Sequence, residues 1–261
     1  MKHFKKVLLI LLSASLLLSC AACGNTNDET EETKTVVVGT CADHPPYAYH
    51  VTVDGVDTIT GSDIELAKKI ADEAKYNLEI KDFSYDELLE QLDLGNLDFI
   101  VATMPELADN ENVLASKSYG EDILTCMTTG ASYSDTSALA SKTVGLLQGT
   151  TQTELDALKL PENTQTETYS ATDLIDNLKN GKISAAILPE SLAKAYQAED
   201  ATFKTAFTVS AGSMHIIVRY TNNIFLETVN NAIKLIDQTQ DVPNFLQTSS
   251  AEKFVSTNKE D

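Results

Sequence analysis

No apolar run in this chain is long enough to cross a bilayer. The stretch from Val7 to Leu18 counts 12 residues, whereas a spanning helix needs about 20. Basic residues are scarce: 19 Lys and Arg stand against 39 Asp and Glu, a formal charge of −20. Nucleic acid must be met by Lys and Arg, so that class of partner is excluded. Solubility alone accounts for an acidic balance of this size. Histidines number four, and no two have the spacing of paired metal ligands, so no metal site is expected. No internal repeat is evident.

What the N-terminus does have is order. Lys2, Lys5 and Lys6 precede the short apolar run, and small residues follow it. That arrangement reads as a secretory signal peptide over residues 1–22. Its loss removes three lysines and no acid, taking the formal charge from −20 to −23. Ser19-Cys20-Ala21-Ala22-Cys23-Gly24 resembles a bacterial lipobox, with Cys23 as the lipidated residue and Cys20 as the alternative. The resemblance implies several acyl chains, which anchor stably where one does not. Residues 23–34 are polar, acidic and Thr-rich and read as a disordered tether. Cys41 and Cys126 lie far apart in apolar, strand-like contexts. Two cysteines in an exported chain can form one disulfide, but a domain of this size builds a core without one. Both are read as free and buried.

Thr35 to Gly39 is a β-branched run ended by glycine, hence a buried strand. Asp63 is placed as the N-cap of a helix carrying Ile64, Ala67, Ile70, Ala71 and Ala74 on one face. Strands follow at 78–83, 98–102, 143–147 and 183–188, and helices at 85–94, 170–180 and 190–196. The rhythm predicts parallel α/β layers covered on both faces. It breaks at the extended segments 121–128 and 203–209, which suggests two lobes joined by paired hinge strands. A strand at 214–219 and a long helix from Asn223 to Thr239 then return to the first lobe. The expected division is 35–122 for lobe 1, 123–210 for lobe 2, and 211–261 for the return segment with its C-terminal helices.

From Thr40-Cys41-Ala42-Asp43-His44-Pro45-Pro46-Tyr47 onward the sequence resembles the amino-acid type of extracellular solute-binding protein that serves ABC importers. Gly61-Ser62-Asp63-Ile64-Glu65-Leu66-Ala67, the segment Asp98 to Met104, the segment Val144 to Gln152 and the segment Gly181 to Ile187 continue the resemblance in order. It implies a two-lobed α/β fold of the periplasmic-binding-protein type II, each lobe a mostly parallel sheet flanked by helices. It also implies a small-molecule solute held between the lobes, a membrane permease as partner, and an anchored monomer at the outer face of the cytoplasmic membrane. No cofactor is expected.

The resemblance places ligand contacts at Asp43, His44, Tyr47, Ser62, Thr103 and Met104 in the first lobe. In the second it places them at Leu147, Thr150, Thr151, Gln152 and Glu190. Gly149-Thr150-Thr151 follows a strand and opens a helix, where backbone N–H groups favour anions and hydroxyls can donate. Capping by one threonine and binding by the other are compatible. Asp43, His44 and Tyr47 follow the first strand, at the carboxyl end of the sheet where ligands bind. Tyr47 either walls the cleft or plugs the core beneath the Pro45-Pro46 turn.

The sequence departs from that family where charge should be. The arginine that usually meets the ligand carboxylate falls at or beside Asn110, in a segment with no basic residue, and Lys117 is the nearest cation. The usual second-lobe acid falls at Pro189, next to Glu190, and the usual stacking aromatic is Ser62. Losing one partner of a buried charge pair costs about 2–5 kcal/mol, roughly 30- to several-thousand-fold in affinity. An ordinary α-amino acid held in the usual way is therefore not expected. Glu106, Asp109 and Glu190 either make the cleft acidic and suit an amine-bearing ligand, or lie on solvated surface. Two other readings stand beside the binding protein. One is an enzyme of the cyclohexadienyl-dehydratase type on the same fold, with Glu190 and His44 as its acid–base candidates. The other is a sensory or ligand-free scaffold.

Overall fold

The computed structural model describes residues 33–107, 109–239 and 242–258. The expected signal segment, both lipidation candidates and the tether up to residue 32 lie outside these residues. None of the described helices is long and apolar enough to cross a membrane.

Order starts at β1 (Thr35–Thr40), where the β-branched run places it. β1 lies inside a five-stranded sheet between β5 (Asn77–Asp82) and β6 (Phe99–Ile100), parallel to both. Beyond β6 come β13 (Ile217–Arg219) and then β7 (Val113–Ala115), with β13 antiparallel to each. A second five-stranded sheet runs in the order β10 (Gln165–Tyr169), β9 (Thr143–Leu147), β11 (Ala185–Pro189), β8 (Gly120–Thr128) and β12 (Lys204–Met214). Its β9 is parallel to β10 and β11, while β8 is antiparallel to β11 and β12. The two-lobed mixed α/β architecture expected from the alternation is present.

Each sheet has its own core. Helix α1 (Ser62–Ala74) buries Ile64, Ala67, Ile70 and Ala71, the face its spacing predicts, and Ala67, Ile70 and Ala71 pack with Val36, Val38 and Phe99. Val229 and Ala232 of α6 (Asn223–Thr239) close that core. In the second lobe, Val144 and Leu146 pack with Ala185 and Ile187, and Leu174 and Leu178 of α4 (Ala171–Lys179) cover the other face. The remaining helices are α2 (Leu88–Asp93), α3 (Gln152–Leu158), α5 (Glu190–Glu199) and α7 (Val242–Thr257).

The chain passes from one sheet to the other at residues 116–119 and 215–216. β8 and β12 pair from end to end within the second sheet, and their pairing stops at Gly120 with Met214. Beyond it Ser116 and Tyr119 donate their N–H groups to the carbonyls of Ile216 and Met214, so the two crossings are tied to each other. The expected strand at 214–219 is accordingly split by His215 and Ile216 into the end of β12 and β13.

Three further features differ from the expectation. A three-stranded sheet of β2 (Asp43–His44), β3 (Ala48–Val53) and β4 (Val56–Thr60) stands where no strand is expected. Its turn is Asp54-Gly55, both with positive φ, the pair that two-residue hairpins favour. Asp63 is not the N-cap of α1; Gly61 is, at φ 134°. A Cβ on Gly61 would lie 2.1 Å from the Tyr47 carbonyl oxygen. The N–H groups of Ser62 and Asp63 donate to the carbonyls of Pro46 and Tyr47, which leaves the Asp63 side chain free to face elsewhere. Helix α7, expected with lobe 1, bridges both lobes. It meets α1 on one side and α5 on the other, with Ala251, Phe254 and Val255 in the second-lobe core.

Tyr49 of β3 joins that core from the first lobe. Its ring stacks edge-on to Phe254 at 4.8 Å, and its hydroxyl donates to the Ser250 carbonyl at 3.3 Å. Phe254→Ala empties this contact, and truncations of this kind cost roughly 3–5 kcal/mol. Urea unfolding of the exported chain is expected to show a loss of that order, with the midpoint moving to lower urea.

Candidate functional site

The carboxyl ends of β1 and β9 face each other across the lobes. The loop after β1 carries Asp43, His44 and Tyr47, and the loop after β9 carries Gly149, Thr150 and Thr151. The two backbones nearly touch: a Cβ on Gly149, at φ 87°, would lie 2.3 Å from the Asp43 carbonyl oxygen. Only glycine permits this approach.

The loop after β9 turns into α3 by a capping box. Thr151 Oγ1 accepts from the Glu154 N–H at 3.3 Å, and Glu154 Oε2 accepts from the Thr151 N–H at 2.5 Å. Thr151 is therefore the cap, and the Thr150 hydroxyl donates to the Leu147 carbonyl at 2.6 Å. The helix start, expected to receive an anion from outside, is served by the chain's own Glu154. The other oxygen, Oε1, lies 3.3 Å from His44 Nε2 in the opposite lobe. Both residues are buried, at 4% exposure for His44 and 1% for Glu154. The contact is an ion pair whose hydrogen bond is at best long and poorly aligned.

His44 stands edge-on to Tyr47, ring centroids 5.1 Å apart. Tyr47 is buried, with its ring and hydroxyl facing different partners. Its ring belongs to the first-lobe core, while its hydroxyl donates to Asp122 Oδ1 at 3.1 Å. Asp122 sits on β8, just past the crossing. Asp63, freed from capping, accepts from the Tyr119 hydroxyl at 3.3 Å. Tyr119 lies on the crossing itself and also accepts the Thr103 N–H at 3.1 Å. Thr103 is in the left-handed region at φ 52°, a conformation that costs of order 1–3 kcal/mol.

These groups perturb one another's protonation. Burial alone would lower the His44 imidazole, but the charge of Glu154, backed by Asp122 and Asp63, lifts it to about 9. Burial would raise Glu154, but His44 and the Thr151 bonds hold it below its ordinary value. Burial pushes Asp63 up to about 7 against the opposing pull of Tyr119 and His44. Burial and the charge of Glu154 push Asp122 to about 7 as well, against His44 and the Tyr47 bond. Three buried carboxyls thus converge on one imidazole.

Among the expected contacts, the fold brings His44, Tyr47, Ser62, Thr103 and Thr151 into this cluster. It sends others elsewhere. Met104 and Leu147 are core residues. Gln152 bonds Asp156 on the exposed side of α3. Glu190 pairs with Lys194 at 2.9 Å. Asp43 meets Gly149 through its backbone, and its exposed carboxylate accepts from the Cys41 thiol at 3.3 Å. Glu106 and Asp109 are exposed on their loop, and Asn110 is occupied in a turn with Asn112. The acidic character of the cleft comes instead from Asp63, Asp122 and Glu154. The chain's single arginine, Arg219, has its guanidinium against Gly95 on the far loop of the first lobe. Both described cysteines are free; Cys126 is buried, but Cys41 is partly exposed, because it follows β1 at the cleft edge. Burial raises both thiols to about 12.

Residues 36–248 match the family described as bacterial extracellular solute-binding proteins, family 3. The chain belongs to that family. It is similar to the arginine-binding extracellular protein ArtP of Bacillus subtilis, 29% identical over 197 residues, 74% of this chain and 76% of ArtP. The L-cystine-binding protein TcyJ of the same organism is 34% identical over 109 residues, 41% of this chain and 39% of TcyJ. Among solved structures, the substrate-binding protein AbpA of Streptococcus pneumoniae bound to L-arginine superposes with a TM-score of 0.66 at 25% identity, covering 84% of this chain and 94% of that one.

The Tyr119 hydroxyl serves both Asp63 and the strained Thr103. Tyr119→Phe leaves a buried carboxyl and a buried N–H without it, a cost of about 1–3 kcal/mol, to be read by denaturant unfolding. Gly149→Ala is expected to hold the lobes apart, increasing the radius of gyration in small-angle scattering without loss of helical circular dichroism.

Proposed function

We propose that this family 3 member is the lipid-anchored binding subunit of an ABC importer, and that its ligand is a small solute recognised through a cationic amine or guanidinium. The observation that carries the ligand class is the trio Asp63, Asp122 and Glu154, buried around a single imidazole. Buried charges are tolerated only when paired, and three carboxyls against one imidazolium leave room for a further positive charge. A ligand carboxylate has no comparable partner. At the start of α3 the Thr151 N–H is taken by Glu154, whose charge lies against any anion there, and Arg219 lies outside the cleft. The arginine named for ArtP and AbpA is consistent with a cationic ligand, while the missing carboxylate grip favours amines in which that group is absent or exposed to water.

Capture proceeds by hinge closure about the paired crossings: a ligand that touches both lobes stabilises the closed form by its differential affinity, which the permease then recognises. No reaction is proposed. The dehydratase-type reading needs His44 with Glu190, and the carboxylate in contact with His44 is Glu154. Cys23, with Cys20 as the alternative, carries the anchor at the outer face of the cytoplasmic membrane, and the protein acts as a monomer.

A thermal-shift series on the chain from Asn25 tests the ligand class. Arginine, agmatine (arginine without its carboxylate), polyamines and amino sugars are compared with glutamate. A ligand present at 100 times its Kd stabilises by about 2.7 kcal/mol, so at least one amine is expected to raise Tm by several degrees. A shift with glutamate and with no amine would overturn the proposal. Cys23→Ser is expected to release the exported protein into the medium, whereas Cys20→Ser leaves it membrane-bound.

A further inference from the structure

We propose that His44 is a built-in counter-ion: its imidazolium latches the two lobes through Glu154, and a cationic ligand enters by taking its place. The inference rests on the ligand class proposed above, but the latch itself is testable without any ligand.

Four observations carry it. The pair spans the cleft, His44 from the loop after β1 and Glu154 from the first turn of α3, 3.3 Å apart and buried. It is held mainly by charge, the hydrogen bond between Nε2 and Oε1 being long and poorly aligned, so both atoms keep capacity for a better-placed partner. A ligand amine or guanidinium with freely placed donors satisfies Oε1 better than the imidazole does. The Ser62 hydroxyl, one residue before Asp63, is also buried without a partner, a further acceptor where the imidazole now sits among carboxyls. Finally, the backbones of Gly149 and Asp43 are already at contact distance. The latch therefore belongs to the fully closed arrangement and not to an intermediate opening.

The groups facing His44 are Glu154 from α3, Asp122 from β8, Asp63 from α1 and Tyr47 from its own loop. With the lobes apart, His44 returns to an ordinary value near 6.5; with them together it is lifted to about 9. Closure therefore binds a proton across that window. The contribution is fully present below about 6.5 and is lost as pH rises through about 9. Asp63 and Asp122, raised to about 7 in the closed form, act in the same direction at lower pH, since closing them also takes up protons. Each linked proton changes the closed-to-open ratio by up to tenfold per pH unit. A ligand cation at Glu154 removes the reason for His44 to stay charged, so binding expels a proton and tightens as pH rises toward 9.

The first experiment is an NMR titration of the histidine ring protons in the chain from Asn25, with His44→Gln identifying the signal. The expected wild-type midpoint for His44 is near 9, falling by more than one pH unit in Glu154→Gln. Compactness in small-angle scattering should decline from pH 6.5 to 9 in wild type and decline markedly less in His44→Gln, where only Asp63 and Asp122 remain to release protons. A wild-type midpoint near 6.5, or one that Glu154→Gln leaves unmoved, overturns the latch whatever the ligand proves to be. The second experiment is calorimetry with agmatine and arginine at pH 7.5 in buffers of different ionisation enthalpy. Release of about one proton or more per ligand, and at least tenfold tighter binding by His44→Gln, are expected. Binding with no proton release overturns the exchange while leaving the ligand class intact. Failure of wild type and His44→Gln alike to bind any amine removes the ligand class and the exchange together, and the NMR midpoint still decides the latch.

Discussion

Glu154 turns its two oxygens in opposite directions. One closes a capping box on its own helix; the other crosses the cleft to His44. A carboxylate as buried as this one is costly unless its charge is met, and both neighbours help to meet it. The capping box fixes where the charge sits, because a first-turn residue bonded to the cap nitrogen has little rotational freedom. The imidazole then has one direction to face, and Tyr47 and Asp122 take up the geometry that remains. Chemistry between the lobes thus depends on how a single short helix begins.

Backbone detail elsewhere serves the same end. Gly61 lets α1 start directly beneath the Pro46 and Tyr47 carbonyls, which satisfy the first N–H groups of the helix. Asp63 is thereby released from capping and turned inward to Tyr119. Tyr119 in turn sits on a crossing between lobes, so the state of the hinge and the environment of a buried acid are mechanically linked. Glycine at 149 sets how closely the lobes approach. In the cleft so formed, the buried charged groups are His44, Asp63, Asp122 and Glu154.

Much of the fold was legible because burial writes itself into periodicity. The run Thr35 to Gly39 and the face Ile64, Ala67, Ile70, Ala71 each announce an element whose apolar side has one place to go. The hairpin of β3 and β4 is hard to read from sequence although Asp54-Gly55 is its usual turn, because its strands expose Val53 and Val56 and show no clean alternation. The site was legible in part. His44 and Tyr47 stand out by position, but Asp122 and Asp63 look like ordinary acids in a chain rich in them. Their importance comes from burial, which no local pattern encodes. Glu154 did leave a signal: Thr151 followed three residues later by an acid is a capping box in the sequence. That acid occupies the Thr151 N–H, one of the groups an external anion would meet at this helix start. Likewise Glu106, Asp109 and Glu190 carried the expected acidity only by proximity in sequence, and each faces solvent or a lysine.

The contact of Tyr49 with Phe254 has a consequence for cooperativity. Tyr49 grows from the first lobe and Phe254 from a helix that rests on both, yet each is embedded among second-lobe aliphatics. Neither lobe can lose its packing without uncovering surface that the other buries. The two halves are therefore coupled through shared packing as well as through the crossings, and a loss in either core is felt by the other.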